Sequence, residues 1–489
     1  MCGILGIIGY EDVSRDLIYG LNCIQHRGQD SAGIVTFQDS FKTMKGLGLV
    51  NDIFNMSHVE RLKANYGLGH VRYSTMGTTE VLNAQPISVN YPFGLAMVHN
   101  GNVTNYSELR KAILEDSQSL LETSNDIEII LYTLASELEK KNIKHLTPSQ
   151  LFEAVEITQS RLEGSYAALA IIANKGIVGF NDPRGIRPLV LGEKTVKKGK
   201  IYALVSESTC LDYLGFKKIK DLKAGECVFI DINLKVHSKI LNHKPPAFCI
   251  FEYIYFARED SVIFNRLVAK ERENMGKLLA KQIKKLNLDA DIVIDVPSSS
   301  YFFASALAEG IGIPMKRALT KNNFVGRSFI LPNPKDREHA VCQKLNPIKE
   351  FINGKKVAVV DDSIVRGTTS KKITSLLREA GAEKVYFISA SPPIKFPCVY
   401  GVDMSIKTEL IASNGADKVA EVIGADKVIY LDLESLKEFY NKAGFCYACF
   451  DGKYPTMVPK SLLKEIEKDR EKAKISDRTV SLSQERLGI

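Results

Sequence analysis

Hydrophobic and polar positions alternate along the first half of the chain in a pattern typical of short strands. Apolar runs separated by polar turn residues lie at 167–173, 177–180, 201–205 and 227–230. Runs of this length, bounded by turns, predict antiparallel hairpins. Two longer segments, 127–138 and 148–161, repeat their apolar residues with the spacing of an amphipathic helix. We therefore expect antiparallel sheet flanked by helices in this half.

From about residue 265 the pattern changes to strands that alternate with helices. The predicted elements are a helix at 268–284, a strand at 292–296, a helix at 301–310, a strand at 357–360, a helix at 370–380 and a strand at 384–389. This alternation predicts a parallel α/β sheet. The change falls near 243–246, where two prolines interrupt regular structure. Beyond about Lys460 the chain is charged, which predicts a solvated helix or a frayed tail.

Length and composition narrow the class of protein. A chain of 489 residues is too long for one compact core. With 45% hydrophobic and 25% charged residues it is typical of globular proteins, and disordered or fibrous classes are excluded. No apolar run approaches the ~18 residues of a membrane span, and the N-terminus lacks the basic region of a secretory signal. The net charge of +8 suits an anionic small molecule, so we expect neither nucleic acid nor membrane as a partner.

The nine cysteines indicate a reduced, cytoplasmic protein. Their odd number and wide scatter argue against a disulfide framework. Cys2 follows the initiator Met1 directly. Removal of Met1 would pair the Cys2 thiol with its own α-amine, a base with a pKa of ~7.7–8.0. At this point a buried structural cysteine explains Cys2 equally well.

Three polar segments add candidate chemistry to Cys2. Arg72 lies on a short strand beside hydroxyl side chains and is a natural clamp for a carboxylate. Asn100 and Gly101 follow a strand into a tight turn, where two N–H groups can converge on an oxyanion. Asp126 opens a helix and is placed to bind an ammonium group. Each segment also has a structural explanation, respectively a surface ion pair, a hairpin turn and a helix N-cap.

In this order after Met-Cys-Gly-Ile, these segments and the polar, glycine-flanked loop at 25–33 together resemble the class II glutamine amidotransferase domain, an N-terminal-nucleophile (Ntn) hydrolase. The resemblance implies an αββα sandwich of antiparallel sheets over residues 2–245. It implies that Cys2 attacks the side-chain amide of glutamine. Asn100 and Gly101 would then hold the tetrahedral oxyanion, while Arg72 and Asp126 bind the α-carboxylate and the α-amino group of glutamine.

A second site is indicated at residues 357–370. A buried-type strand delivers Asp361 and Asp362 to its C-terminal edge, where ligands bind in open α/β sheets. The following loop, 366–370, is small, rich in hydroxyls and opens a helix, which suits a phosphate. It matches neither the nucleoside-triphosphate P-loop nor the dinucleotide-binding motif. A plain strand–turn–helix junction is the structural alternative.

This segment resembles the phosphoribosyl-pyrophosphate (PRPP) signature of type I phosphoribosyltransferases, which implies a parallel-sheet domain over 246–455. Asp361 and Asp362 would bind the ribose hydroxyls and support Mg²⁺. The residues implied to hold the 5′-phosphate are Gly367, Thr368, Thr369 and Ser370. Residues 321–329 resemble the loop that closes over PRPP, with Lys321 and Arg327 as its bases. Residues 297–300 resemble the pyrophosphate turn, in which Ser299 supplies a hydroxyl near Mg²⁺ and Ser298 replaces the usual Asp.

Taken together, the two halves resemble the glutamine phosphoribosylpyrophosphate amidotransferase family up to about Pro455, and 182–189 and 252–258 extend the match. The family resemblance implies that glutamine-derived ammonia attacks C1 of PRPP. The products are 5-phosphoribosylamine, glutamate and pyrophosphate, in the first committed step of purine synthesis. The resemblance also implies feedback by purine nucleotides and a homotetramer or homodimer, with 456–489 as a charged C-terminal helix or tail. The alternative is a lapsed paralogue that senses PRPP or nucleotides, which only Ser298 favours.

Four cysteines form a third candidate site. Cys446 and Cys449 make a C-x-x-C motif, and Cys249 and Cys398 lie far from it in the sequence. Four thiolates spaced in this way suit either tetrahedral Zn²⁺ or a 4Fe–4S cluster, and buried metal-free thiols are the third possibility. Some members of the family carry a cluster on cysteines in these contexts, so the resemblance implies 4Fe–4S here. The remaining cysteines, Cys23, Cys210, Cys227 and Cys342, are predicted to be structural.

Overall fold

Two antiparallel sheets form the first half of the fold. The computed structural model describes residues 1–73, 80–90, 93–116, 121–322, 345–402, 409–441, 443–459 and 462–463. Within them, the first sheet contains in spatial order the strands Lys217–Asp221, Val190–Val196, Gly199–Val205, Gly3–Ile8, Tyr66–Arg72, Ser31–Phe37 and Phe41–Leu47. The second contains Val236–Ile240, Glu226–Asp231, Gly176–Asn181, Gly164–Ile172, Leu95–Val103 and Ile87–Val89.

The two sheets pack face to face, because alternate residues of each strand are apolar and point inward. Ile4 and Leu68 of the first sheet meet Val98 and Leu169 of the second in one buried cluster. Helices Ser14–Cys23 and Ser208–Leu214 cover the outer face of the first sheet. Helices Ile127–Glu139 and Pro148–Arg161 cover that of the second. The predicted αββα sandwich is confirmed.

A parallel sheet forms the centre of the second half. Its strands are, in spatial order, Ile292–Asp295, Lys356–Asp361, Lys384–Ser389 and Lys427–Tyr430. Helices Val268–Lys284 and Tyr301–Ile311 pack on one face, and helices Thr368–Glu379 and Ala416–Ile423 pack on the other. Cover on both faces explains why the strand around Val359 is a continuous apolar run. The predicted parallel-sheet fold is confirmed.

The predicted elements differ from the observed ones mainly at their ends. Helices Pro148–Arg161 and Val268–Lys284 and strand Lys384–Ser389 have the predicted bounds. The helix predicted at 370–380 begins two residues earlier, at Thr368, because Gly367 at φ +75° starts it. Of the predicted charged tail beyond residue 460, only 462–463 belong to the described residues.

Shorter elements complete the described fold. The further helices are Val50–Ile53, Met56–Arg61, Tyr106–Asp116, Lys349–Ile352, Leu433–Phe439 and Ala448–Asp451, with a π-helical turn at Glu252–Phe256. The further strand pairs are Val262–Ile263 with Arg266–Leu267, Leu319–Lys321 with Leu345–Pro347, and Phe248–Cys249 with Phe445–Cys446. Among the described residues, no helix combines the length and apolar character needed to cross a membrane.

A short segment of the second half, 398–402, docks on the end of strand Leu95–Val103. The Asn102 side-chain amide donates to the Val399 carbonyl at 2.8 Å, and the Ser165 hydroxyl donates to the Tyr400 carbonyl at 2.9 Å. The backbones approach so closely that a Cβ on Gly401 would lie 2.7 Å from the Gly101 carbonyl oxygen. These contacts place the second half directly against the end of strand Leu95–Val103 that follows Asn100.

Candidate functional site

Cys2 directly precedes strand Gly3–Ile8 of the first sheet. The pairing of Gly3 with Val71 brings Arg72 to the same end of the sheet. The Cys2 backbone N–H donates to Asn100 Oδ1 at 3.2 Å, and Cys2 Sγ lies 3.8 Å from the Tyr73 carbonyl oxygen. The thiol is half-buried and therefore accessible to a small molecule. The structure thus brings Cys2, Arg72 and Asn100 together, as the sequence predicts.

Asn100 and Gly101 present donors beside Cys2. Asn100 is 1% exposed, and within the described residues its side-chain Nδ2 has no hydrogen-bond acceptor. A buried donor left in this state costs about 1–3 kcal/mol, so a ligand that accepts from it recovers that energy. At Gly101 a Cβ would lie 2.0 Å from the Ser165 carbonyl oxygen, so only glycine fits there. The predicted tight turn at these two residues is wrong, because both belong to strand Leu95–Val103 and pair with Ala167 and Tyr166. The arrangement is suited to binding a developing oxyanion.

Asp126 is held by partners that the sequence analysis did not identify. It precedes helix Ile127–Glu139, but its side chain makes no capping hydrogen bond there. Instead its Oδ2 accepts from the Val103 backbone N–H at 2.9 Å and contacts His99 Nε2 at 3.2 Å. Burial alone would raise the pKa of Asp126, but His99 and these hydrogen bonds lower it overall. Asp126 is therefore an ionised carboxylate suited to an ammonium group.

Gln85 sets the proton position on His99. The His99 backbone N–H donates to Gln85 Oε1 at 2.7 Å, which directs the Gln85 Nε2 group to His99 Nδ1 at 2.9 Å. An amide nitrogen can only donate, so Nδ1 accepts and the imidazole proton resides on Nε2, facing Asp126. Gln85, His99 and Asp126 form a chain of hydrogen bonds that fixes the carboxylate.

A cluster of buried charged side chains contacts the backbone of Cys2. Arg27 Nε donates to the Cys2 carbonyl oxygen at 3.1 Å, and its other nitrogens bind Glu207 and, at 2.9 Å, Glu252. Glu207 also contacts His26 at 2.8 Å. Burial would raise the pKa of Glu207, but His26 and Arg27 hold it well below its usual range. The sequence analysis missed this cluster, since its members lie up to 225 positions apart. The only sequence pattern that could have indicated this cluster is the polar, glycine-flanked loop around Arg27.

Met1 is buried near Arg27 and Glu252 of this cluster. It is 1% exposed, and burial lowers the pKa of its amine to about 5. With Met1 in place the Cys2 nitrogen is a peptide N–H and cannot act as a base. The use of the Cys2 α-amine therefore requires removal of Met1.

Asp361 and Asp362 lie at the carboxyl edge of the parallel sheet, as predicted. The Ser300 hydroxyl donates to Asp361 Oδ1 at 3.4 Å, and the hydroxyls of Ser299 and Ser363 donate to Asp362. Burial raises the pKa of both carboxyls, and the charge of Asp362 raises that of Asp361 further. Two buried like charges at one edge favour a cation or several hydroxyl donors between them.

The loop after these acids begins a helix in the way that suits a phosphate. Gly367 has φ +75°, and a Cβ there would lie 2.3 Å from the Ile411 side chain, so glycine is required. Thr368 and Thr369 are exposed in the first turn, while Ser370 is buried. The N–H groups of a first helical turn lack helical acceptors and attract anions. Lys321 is exposed at the end of its strand, whereas Arg327 lies outside the described residues.

Four cysteines converge from three segments. Strand pairing places Cys249 opposite Cys446, and Cys449 follows in the next turn. Cys249, Cys398, Cys446 and Cys449 line one pocket, together with Ile186, Ile250, Phe251, Tyr400, Val402, Ala448 and Tyr454. Burial raises the pKa of the Cys249 thiol to about 11 and those of the Cys446 and Cys449 thiols as well. In the part of the chain that the structure describes, no three His, Cys, Asp or Glu side chains form a group that could hold a metal ion.

Comparisons with known proteins agree with both halves of the molecule. A family model described as a glutamine amidotransferase domain matches residues 70–213. The amidophosphoribosyltransferase of Haemophilus influenzae is 43% identical over 474 residues, which cover 93% of this chain and 93% of that protein. That of Saccharomyces cerevisiae is 40% identical over 490 residues and covers 96% of each. The glutamine PRPP amidotransferase from B. subtilis, solved in complex with ADP and GMP, superposes with a TM-score of 0.83 at 36% identity, covering 94% of this chain and 98% of that one.

Proposed function

The chain belongs to the amidophosphoribosyltransferase family, and we propose that Cys2 begins its reaction by attacking the side-chain amide of glutamine. The enzyme is a glutamine amidotransferase and pentosyltransferase of the first committed step of purine biosynthesis. The observation that carries the role of Cys2 is the buried Asn100 amide beside it, whose Nδ2 has no acceptor among the described residues. We assign the glutamine reaction to residues 2–245, the PRPP reaction to 246–455 and no chemistry to the tail at 456–489.

The glutamine half of the reaction follows from groups around Cys2. Once Met1 is removed, the Cys2 α-amine takes the thiol proton and the sulfur attacks the amide carbon. Asn100 Nδ2 and the Gly101 N–H donate to the oxyanion. The amine returns the proton to the departing ammonia, and water then hydrolyses the thioester to release glutamate. Arg72 binds the α-carboxylate of glutamine and Asp126 its α-ammonium group.

The PRPP half of the reaction uses the edge of the parallel sheet. Asp361 and Asp362 accept hydrogen bonds from the ribose hydroxyls, and the N–H groups of 367–370 bind the 5′-phosphate. The carboxylates and the Ser299 hydroxyl are the oxygen donors that Mg²⁺ prefers, so these residues fit the ion. When bound, Mg²⁺ neutralises charge on the pyrophosphate. Lys321 is assigned to the pyrophosphate oxygens, as is Arg327, which lies outside the described residues. Ammonia forms the bond to C1 as the bond from C1 to the pyrophosphate oxygen breaks.

A direct assay tests this function. Pyrophosphate release from PRPP is measured with glutamine and, separately, with ammonia as the nitrogen donor. We expect release with both donors and glutamate formation with glutamine only. A protein that binds PRPP without releasing pyrophosphate would instead support the sensor alternative. The relatives are named as enzymes, which favours catalysis over sensing.

We propose a 4Fe–4S cluster on Cys249, Cys398, Cys446 and Cys449. The proposal is supported by the shared pocket of these thiols and by its apolar walls, which exclude water from a cluster. When bound, the cluster would supply a structural cross-link between the strands that carry Cys249 and Cys446 and the segment 398–402. Free thiols at all eight described cysteines fit a reducing cytoplasm, which we propose as the location.

Replacing Cys449 by serine should remove the cluster. Anaerobically purified wild type should be brown, with iron and sulfide in equal amounts, and Cys449→Ser should lose both. We also expect a lower free energy of unfolding, because segment 398–402 loses its cross-link. Cys23→Ser is the matched control, since Cys23 lies outside the pocket. Zinc in the wild type, or no metal at all, would contradict the proposal.

Replacing Gln85 by methionine should weaken glutamine use alone. The variant keeps the volume of the side chain but releases His99 Nδ1, so Asp126 loses its fixed donor. We expect kcat/KM for glutamine to fall by about 10- to 100-fold, as for the loss of hydrogen bonds to a charged group. Activity with ammonia should not change. Gln150→Met, in an exposed helix cap, is the control. An equal loss with both nitrogen donors would show a general structural defect instead.

Feedback by purine nucleotides is proposed from the relative in B. subtilis, whose structure is a complex with ADP and GMP. Such nucleotides share a ribose and a 5′-phosphate with PRPP, so Asp361, Asp362 and the loop 367–370 can bind the same groups. The homotetramer or homodimer expected from the family stays a prediction.

A further inference from the structure

Cys23 and Cys210 lie on two helices that pack against each other. Cys23 is the last residue of helix Ser14–Cys23, and Cys210 lies in the first turn of helix Ser208–Leu214. Both helices cover the outer face of the first sheet, where Cys210 belongs to the buried cluster and Cys23 packs against it. The two cysteines are far apart in the sequence, so only the fold brings them together.

The sulfur of Cys210 is directed toward the helical turn that carries Cys23. It donates to the Gly20 carbonyl oxygen at 3.6 Å, and a Cβ on Gly20 would lie 3.2 Å from it. Gly20 precedes Cys23 by three residues and therefore lies on the same face of its helix. The Cys23 thiol in turn contacts the Cys210 thiol and the Thr209 side chain through hydrogen bonds. The two thiols are thus direct neighbours, as the formation of a disulfide requires.

The two thiols differ in exposure and in acidity. Cys23 is half-buried, whereas Cys210 is fully buried. The hydrogen bond with Cys210 lowers the pKa of Cys23 against the effect of burial, and the charge of Arg258 lowers it further. The same contact and complete burial raise the pKa of Cys210. Because the thiolate is the reactive form, Cys23 is the thiol that meets an oxidant first and Cys210 is the one that follows.

We propose that Cys23 and Cys210 form a site of reversible oxidation, at which a hydroperoxide converts the two thiols to a disulfide. Disulfides of this kind in a reducing compartment are transient and respond to oxidants. The proposal does not depend on the chemistry assigned to Cys2, and the pair lies outside the pocket of the four other cysteines. The competing explanation is the one that the sequence predicts, in which both thiols only fill space.

The oxidation takes place in two steps. The Cys23 sulfur attacks one peroxide oxygen, so that an S–O bond forms as the O–O bond breaks, and the thiol proton leaves with the other oxygen as water. The Cys210 sulfur then attacks the sulfenic sulfur of Cys23. An S–S bond forms as the S–O bond breaks, and the Cys210 proton leaves in a second water. The two thiols lose two electrons to the peroxide, and a dithiol reductant restores them.

Peptide mass spectrometry tests the proposal on the full-length protein. Reduced protein is treated with hydrogen peroxide, its remaining thiols are blocked with N-ethylmaleimide in denaturant, and it is digested with trypsin. Cys23 lies in the tryptic peptide 16–27 and Cys210 in 201–217. We expect these two peptides as the main linked pair, with their summed mass less two hydrogen atoms, and we expect dithiothreitol to separate them. If both cysteines instead carry N-ethylmaleimide, or if Cys23 proceeds to sulfinic acid without a link, the proposal is wrong.

Two variants assign the steps to their residues. In Cys210→Ser the linked pair should disappear, and the sulfenic acid of Cys23 should persist long enough for dimedone to label peptide 16–27. Cys227→Ser is the matched control, since Cys227 is equally buried but lies in the second sheet, and it should keep the linked pair. An unlabelled Cys23 in peroxide-treated Cys210→Ser would overturn the proposal.

A further variant keeps the test decisive if Cys210→Ser does not fold. Cys23→Ser changes a half-buried position at a helix end, and without the Cys23 thiolate we expect Cys210 to stay reduced in peroxide. Oxidation of Cys210 in this variant at the wild-type rate would show that Cys23 is not the reacting thiol, and the proposal would fail.

Discussion

Replacing Cys2 by alanine will abolish the use of glutamine while leaving the use of ammonia intact. The change removes the only sulfur that we assign to the attack on the amide, so glutamine-dependent pyrophosphate release should fall by about 10⁴-fold or more. Ammonia reaches C1 of PRPP without that step. The measurement compares kcat/KM for both nitrogen donors at saturating PRPP.

The control for this prediction is Cys23→Ala, which removes a half-buried thiol from the same half of the molecule. It should retain both activities. If Cys2→Ala still releases glutamate from glutamine, the nucleophile is another group. If it loses the ammonia reaction as well, Cys2 contributes to folding rather than to the chemistry of one site.

The second large effect is expected at Asp361 and Asp362. Asparagine at either position keeps the shape but removes the charge to which we assign the binding of the ribose hydroxyls and of Mg²⁺. Each single variant should lose about 10- to 100-fold in kcat/KM for PRPP, and the double variant more than either. The loss should be equal with glutamine and with ammonia, because both nitrogen donors meet the same PRPP. Asp289→Asn, whose carboxylate is 69% exposed, is the control and should be neutral.

The stability of Asp361→Asn should change in the opposite direction to its activity. Without PRPP and Mg²⁺ the wild type holds two buried carboxyls whose charges repel each other. The substitution removes one of these charges, so the Tm of the variant should rise while its activity falls. This is the pattern of a site whose geometry is kept for function at the expense of stability. A lower Tm in Asp361→Asn would mean that the charged pair stabilises the empty site.

Much of the fold is predictable because burial leaves a local pattern in the sequence. Strand Lys356–Asp361 is apolar from Val357 to Val360, since both of its faces are covered, and strand Leu95–Val103 supplies inward residues such as Val98 at alternate positions. Helix Pro148–Arg161 has the bounds predicted from its amphipathic spacing, and in the structure a capping box of Thr147 and Gln150 stabilises its start. The helix after Asp362 was predicted two residues late, since its first turn is made of exposed hydroxyl residues without an apolar period.

The candidate sites were predictable only where their chemistry lies in short motifs. Cys2, the pair Asn100 and Gly101, and the acids at 361–362 stand in contiguous segments whose residue types indicate their chemistry. Gln85 and His99 carried no such signal, and for Arg27 the sequence offered only a polar, glycine-flanked loop. Their hydrogen-bond partners depend on which groups lie nearby in the folded protein, because an amide, an imidazole or a guanidinium can bind many different partners.

The sequence alone therefore determined that antiparallel sheet precedes a parallel α/β sheet, since this depends on local periodicity. The residues that we assign to each substrate came from motifs that resemble known families. Only the tertiary structure decided how the sites are supported. It paired Glu207 with Arg27 across 180 positions, directed the His99 proton toward Asp126 and gathered four cysteines around one pocket. The physical reason is that buried charges and polar groups must find partners wherever the packed chain brings them, and distance along the sequence does not limit that choice.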